Sequence, residues 1–393
     1  MDIFEKCFKF TRAEEARQNG YYPYYIPIQG SSATEVIVDG KKKVMIGSNN
    51  YLGLTHHPKI LEAAQEAMKK YGTGCTGSRF LNGTLDLHEE LEAKLAAFTG
   101  FEACLVFSTG FQTNLGIIDT LLGKNDVVIV DKLAHASIVD ACRLSYAEIL
   151  RFRHNDPEDL DRVLKKIHPK RGKLIVVEGI YSMEGDIVPL PTIVELSKRY
   201  EARLMVDDAH ALGVLGEGGR GTAHHFNLPE EVDLVMGTFS KSFACIGGFV
   251  AGEERVIDYL KHHARTLIFS ASMPPSAVAT ALAALEVMQE EPELQESLWK
   301  NARKMWKGFR ELGFNIGGSE SPVVPVIIGD DIKTFTFWRK LMEAGIFANP
   351  VVSPAVPEKT ARLRTSYIAT HTEDQLDFVL ETFQRLGKEE GII

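Results

Sequence analysis

The chain reads as an α/β fold, a mostly parallel central sheet with helices on both faces plus a smaller C-terminal α+β region, on three observations. Short apolar runs alternate with helical patterns between about residues 100 and 250. Two of these runs, VVIV (127–130) and LIVV (174–177), are apolar without alternation, as strands covered on both faces are. The stretches between runs carry apolar residues at three- and four-residue spacing, as crossover helices require.

In chain order, strands are expected at CLVF (104–107), VVIV (127–130), ILRF (149–152), LIVV (174–177), RLMV (203–206) and DLVMGTF (233–239), with crossover helices over 157–168 and 191–200. From Ser276 to about Leu312 the composition favours helix, interrupted only by Pro292, and reads as one long helix joining two domains. Beyond it follow VVPVII (323–328), a helix around 332–344, the loop NPVVSPAVP (349–357) and a closing helix from Thr372. This divides the chain into an N-terminal segment (1–50), a large domain (51–280) and a small domain (281–393).

The 393 residues are 45% apolar and 25% charged, which places the chain among globular proteins rather than disordered, fibrous or membrane-spanning ones. With 44 basic and 53 acidic side chains the net charge is −9, so a nucleic-acid backbone is not the expected partner. Five scattered cysteines (Cys7, Cys75, Cys104, Cys142, Cys245) contain no CxxC pair and give neither a disulfide framework nor a zinc knuckle. The opening residues MDIFEKCFKFTRAEEARQNG carry charge throughout and lack the apolar core of a signal peptide. A cytoplasmic protein is expected.

Several motifs are set aside on context. GTGCTG (72–77) and GEGGRG (216–221) match the dinucleotide pattern, but the first follows a helical run and the second leads into AHHFNLP, so neither offers a strand–turn–helix unit for a pyrophosphate. The histidine pairs 56–57, 224–225 and 262–263 point to different sides of any regular element and cannot easily converge on one metal ion. No GxSxG elbow is present.

The informative residues fall where strands end. MVDDAHALG (205–213) brings Asp207 and His210 after one apolar strand, and GTFSKSFACIGG (237–248) brings Thr238, Ser240 and Lys241 after another. The carboxyl ends of parallel strands form the ligand crevice of an open sheet. A buried ion pair would explain Asp207 and Lys241 equally well. STGFQTNLG (108–116) adds a third strand end, where Gly110 opens a helix whose free N–H groups suit a phosphate, or merely receive a cap. Together, a phosphate cradle, a carboxylate and a lysine are what pyridoxal 5′-phosphate requires: an anchor for its phosphate, a partner for its ring nitrogen and an amine for its aldehyde.

Taken in order, STGFQTN, DKLAHASIVD, EGIYSMEGD, VDDAHALG and GTFSKS, with GSNNYLGL (47–54) and GTGCTGSRFLNGT (72–84), resemble the α-oxoamine synthases. These are fold-type I pyridoxal-phosphate enzymes that condense an amino acid with an acyl-CoA and release CO₂. The resemblance spans nearly the whole chain. GTFSKSFACIGGFVAG, RTLIFSASMPP and NPVVSPAVP most resemble the bacterial branch that joins L-serine to a long-chain acyl-CoA; branches using glycine or alanine usually read GTLGK where this chain has Phe239-Ser240.

The resemblance implies roles. Lys241 holds the cofactor and moves the α-proton, Asp207 partners the ring nitrogen, His135 stacks on the ring and meets the substrate carboxylate, and His210 bonds the phenolic oxygen. Gly110 and Phe111 amides with the Thr238 and Ser240 hydroxyls cradle the phosphate. Arg364, with Arg362 as its nearby competitor, binds the amino-acid carboxylate, for which a planar guanidinium is suited. Asn50, Ser78 and Glu178 line the pocket. Ser270 and Ala271, in SASMPP (270–275), correspond to a loop reaching the partner's cofactor in a homodimer with interface active sites. No metal is implied. The lipidic product implies peripheral contact with the inner membrane.

Overall fold

The computed structural model describes residues 2–393. Seven strands form the central sheet in the order Ala103–Phe107, Gly248–Gly252, Leu234–Thr238, Arg203–Asp207, Lys173–Glu178, Val127–Asp131 and Glu148–Phe152. Gly248–Gly252 runs antiparallel to both its neighbours, and the other pairings are parallel. All six strands read from the apolar runs are present. The seventh, GFVAG, escaped that reading because glycines at both ends and a small alanine give it no β-rich run.

Side chains leave successive strand residues on opposite faces. Val128, Val130, Leu174, Val176 and Met205 therefore pack on one side with Ile117, Ile118 and Ile138, and Ile129, Ile175, Val177, Leu204 and Val206 on the other with Leu160 and Ile193. Each such aliphatic side chain removed from water stabilises the fold by about 1.5–3 kcal/mol, before the ordering entropy it opposes. With both faces covered, only the strand ends are left for ligands.

The expected long helix is two helices, Pro275–Glu290 and Glu293–Leu312. Pro292 clashes with helical geometry in the residue before it, and Glu291 accordingly leaves the α region with φ −122° and ψ 64°. The first helix is buried among the sheet's helices, while the second contributes Met305 and Phe309 to a separate core with Val324, Phe337, Leu363, Tyr367 and Phe383. That core also holds Val44 and Ile46, because strand Lys41–Met45 pairs in parallel with Ile346–Phe347. Strand Ala361–Ser366, flanked by Val323–Gly329 and Asn349–Val351, was not foreseen, since its alternating arginines mask its period.

One ion cluster ties the sheet edge to the segment after strand Lys173–Glu178. His154 Nδ1 lies 3.1 Å from Asp131 Oδ1 and Nε2 lies 2.8 Å from Asp186 Oδ2, with Tyr181 packed edge-on. Both ring nitrogens face carboxylates, so both act as donors and the ring is imidazolium. Burial by itself lowers its pKa, but the bonds to Asp131 and Asp186 outweigh this and raise it from 6.5 to about 10. Between those values the folded chain holds a proton that the unfolded chain releases. This contribution to stability is therefore complete below about pH 6.5 and lost as pH rises through about 10. Denaturant titrations across that window are expected to show the decline, and His154→Asn to flatten it.

Candidate functional site

The carboxyl ends of the parallel strands converge on a cavity of about 350 Å³. Its wall includes Thr109, Gly110, Phe111, Asn114, His135, Ser137, Glu178, Asp207, His210, Thr238, Ser240 and Lys241. Each residue arrives on its own strand end or on the helix start that follows it. Thr109 caps helix Gly110–Leu121 by accepting the Gln112 N–H at 3.1 Å, and its carbonyl accepts the Thr113 N–H at 3.0 Å. The Gly110 and Phe111 N–H groups, which have no intrahelical acceptor, stay available to an anion. A Cβ on Gly110 would stand 2.6 Å from Thr238 Oγ1, so a larger residue would fill this cradle.

Asp207 is buried at the end of its strand. Its Oδ2 accepts from Asn114 Nδ2 at 2.8 Å and its Oδ1 from the Ala209 N–H at 3.0 Å. The backbone N–H of His135 donates to Glu178 Oε1 at 2.6 Å, and burial with nearby Asp207 pushes the Glu178 carboxyl well above the usual carboxylate range. Desolvation lowers Lys241 from 10.5 to about 8; Asp207 and Glu178 oppose the fall and Arg364 reinforces it. An amine so placed is an effective base near neutrality.

A second chain of contacts leads out of the cavity wall. His210 Nδ1 lies 2.6 Å from the Tyr51 hydroxyl, and Arg364 Nη2 reaches that hydroxyl at 3.4 Å. Burial, helped by the cations of Lys241 and Arg364, holds the His210 imidazole neutral. The two candidate arginines differ in their partners. Arg362 is paired with Glu184 Oε1 at 3.2 Å, whereas Arg364 bonds the Ser182 carbonyl and the Ser366 hydroxyl and, among the described residues, no carboxylate. Arg364 is thus the buried cation with charge left for a ligand.

Five expected residues lie outside the cavity lining: Arg364, which the contacts above place behind the wall, and Asn50, Ser78, Ser270 and Ala271. Asn50 precedes Tyr51 and bonds Thr55 Oγ1 at 2.9 Å, and the Ser78 hydroxyl is buried in the 77–83 turn without a partner. Ser270 Oγ accepts from Gln112 Nε2 at 3.1 Å, and the Ala271 carbonyl accepts from Ser108 Oγ, which sets this loop beside the start of helix Gly110–Leu121. Sequence reasoning missed Tyr51, Asn114 and Ser137 as site members. Tyr51 lay inside a quoted motif, and Asn114 stands one helical turn beyond Gly110, on the face that meets the sheet. Among the described residues, no group of three or more His, Cys, Asp or Glu is placed to hold a metal ion.

These residues fit pyridoxal phosphate: an amine of lowered pKa, a buried carboxylate, and a helix start closed by a glycine that tolerates no Cβ. The chain belongs to the aminotransferase class I and II family, whose model matches residues 41–383, and it has the fold-type I architecture. It is 53% identical to the serine palmitoyltransferase of Sphingobacterium spiritivorum, over 99% of this chain and 98% of that protein. It superposes on the solved serine palmitoyltransferase of Sphingomonas wittichii with a TM-score of 0.97 at 40% identity, covering 100% of both chains. The 8-amino-7-oxononanoate synthase of Thermoanaerobacter pseudethanolicus is 45% identical over 100% of this chain and 99% of that protein.

In the cofactor-free protein, an amine-directed reagent followed by peptide mass spectrometry is expected to modify Lys241 with a midpoint near pH 8. A midpoint at the ordinary lysine value of 10.5 would mean that the amine remains solvated.

Proposed function

We propose that the chain is a pyridoxal-phosphate-dependent serine palmitoyltransferase. It condenses L-serine with a long-chain acyl-CoA such as palmitoyl-CoA to give 3-ketodihydrosphingosine, CoA and CO₂, the opening step of sphingolipid synthesis. The observation that carries this reading is one cavity walled by the Lys241 amine and the buried Asp207, with Arg364 beyond it holding, among the described residues, no carboxylate of its own.

Bound pyridoxal phosphate supplies an electron sink for bonds broken at the substrate's α-carbon. Lys241 would hold the cofactor through its aldehyde, and its amine, of lowered pKa, would serve as the base for the α-proton. Asp207, its Oδ2 steadied by Asn114, keeps a proton on the ring nitrogen. His135 would pack against the cofactor's ring, and the neutral His210, held by Tyr51, would offer a hydrogen bond to its phenolic oxygen. Gly110, Phe111, Thr238 and Ser240 receive the phosphate. Arg364 receives the serine carboxylate, with Asn50, Ser78 and Glu178 completing the surroundings.

The protein works as a homodimer. Phe111 and Ile246 line the cavity yet are exposed, and Phe80, Leu81 and Phe269 stand exposed on the neighbouring loops, where Ser270 and Ala271 would reach the second site. No helix among the described residues is long and apolar enough to cross a membrane. Contact with the inner membrane is peripheral and serves release of the lipidic product, and the location is cytoplasmic.

Full-length identity to an 8-amino-7-oxononanoate synthase keeps one alternative in play, glycine or alanine with another acyl-CoA. Incubating the holoenzyme with L-serine, glycine or L-alanine and acyl-CoAs of graded length, then identifying the product by mass spectrometry, decides between them. The long-chain keto amine from serine is expected; product from alanine or glycine alone would overturn the assignment. Lys241→Ala is expected to cost about 10²–10⁴-fold in turnover. Arg364→Ala is expected to raise the KM for serine roughly 10- to 100-fold, the worth of charged hydrogen bonds, with little change in the KM for acyl-CoA.

A further inference from the structure

The hydrogen bonds behind His135 determine which of its nitrogens carries the proton. The Asn114 amide turns its NH₂ group to Asp207 Oδ2, which accepts from it at 2.8 Å. The same nitrogen lies 2.9 Å from Ser137 Oγ and gives it the other hydrogen. The Ser137 hydroxyl, already an acceptor, has one proton to donate, and His135 Nδ1 stands 2.7 Å from it. That nitrogen also accepts the backbone N–H of Ser137 at 3.2 Å, and a backbone N–H can only donate. Two donors point at Nδ1, which leaves no room for a proton there. The neutral ring, which burial favours, therefore carries its hydrogen on Nε2.

We propose that Asn114 and Ser137 are positioning residues: they lock His135 in the Nε2–H tautomer and tie its orientation to that of Asp207, so that the imidazole faces the cavity as a hydrogen-bond donor and not as a base. The chain of contacts runs from Asp207 through Asn114 and Ser137 to His135, all four lining one cavity and drawn from three separate segments of the chain. One network thus orients both a donor matched to a carboxylate substrate and the carboxylate that would partner the cofactor's ring nitrogen. The second half of this statement rests on the function proposed above; the tautomer does not.

The test uses the full chain loaded with pyridoxal phosphate and labelled with [¹⁵N]histidine. The pair of ring-nitrogen resonances missing from His135→Asn belongs to His135. They are expected to show a bare Nδ1 and a protonated Nε2. A protonated Nδ1 overturns the proposal whatever the enzyme's activity, while the expected pattern in a protein that makes no product from serine would sink the functional reading alone. Ser137→Ala is expected to mix the two tautomers and to raise the KM for serine about five- to tenfold, the worth of one hydrogen bond, without changing the KM for acyl-CoA. Asn114→Leu, which removes both donors, is expected to weaken pyridoxal-phosphate binding about tenfold in absorbance titrations. Wild-type nitrogen shifts in Ser137→Ala, or undiminished cofactor affinity in Asn114→Leu, would show these residues to be packing only. Thermal melts of each variant separate this from loss of fold, and the wild-type spectrum decides the tautomer even if a variant does not fold.

Discussion

Keeping an amine out of water beside a carboxylate is the interaction on which this structure turns. Lys241 would hold its proton to about pH 10.5 if it were solvated; at the strand ends it gives it up near 8. Desolvation does this work, and Asp207 and Glu178 keep it from going further, so the amine is poised rather than simply neutral. The sheet exists around that condition. Covering both its faces with helices dries the strand ends, and parallel connections return one polar residue after another to the same edge.

The charges around the cavity are arranged so that few are left unsatisfied. Asp207 has two donors, Glu178, its pKa raised by burial and by Asp207, receives the His135 N–H, and His210 is neutral against the Tyr51 hydroxyl. Arg364 is the exception, a buried guanidinium whose partners here are neutral oxygens. Burying a cation without a counter-charge is unfavourable, and an incoming carboxylate relieves it. Its neighbour Arg362 is already paired with Glu184, two residues along from the Ser182 carbonyl that holds Arg364. Alternate positions on one strand thus hold one arginine paired with a carboxylate and one bonded to neutral oxygens.

Much of this was legible because buried parallel strands announce themselves. VVIV and LIVV cannot be surface segments, and the polar residues that follow such runs must emerge at an edge. Asp207 and Lys241 were visible for that reason. The antiparallel strand Gly248–Gly252 was not, since its residues are small and it pairs by fitting between neighbours, with no apolar run of its own. The helix break at Glu291 was signalled by Pro292, but whether a proline kinks a helix or ends it depends on what packs around it, and here the second helix, after placing Leu298 in the core of the first, runs on to a different core with Met305 and Phe309.

By itself the sequence determined the fold class, the order of the strand ends and the chemical types gathered there, because apolar period and turn chemistry are local properties. Tertiary structure alone decided which of two arginines is free, that Tyr51 joins His210 to Arg364, and that Asn114 and Ser137 connect Asp207 to His135. Those are contacts between residues up to 313 positions apart. Hydrogen bonds act over about 3 Å, a length at which a protonation state is set by the atom that happens to stand opposite, and no pattern along the chain encodes that neighbour.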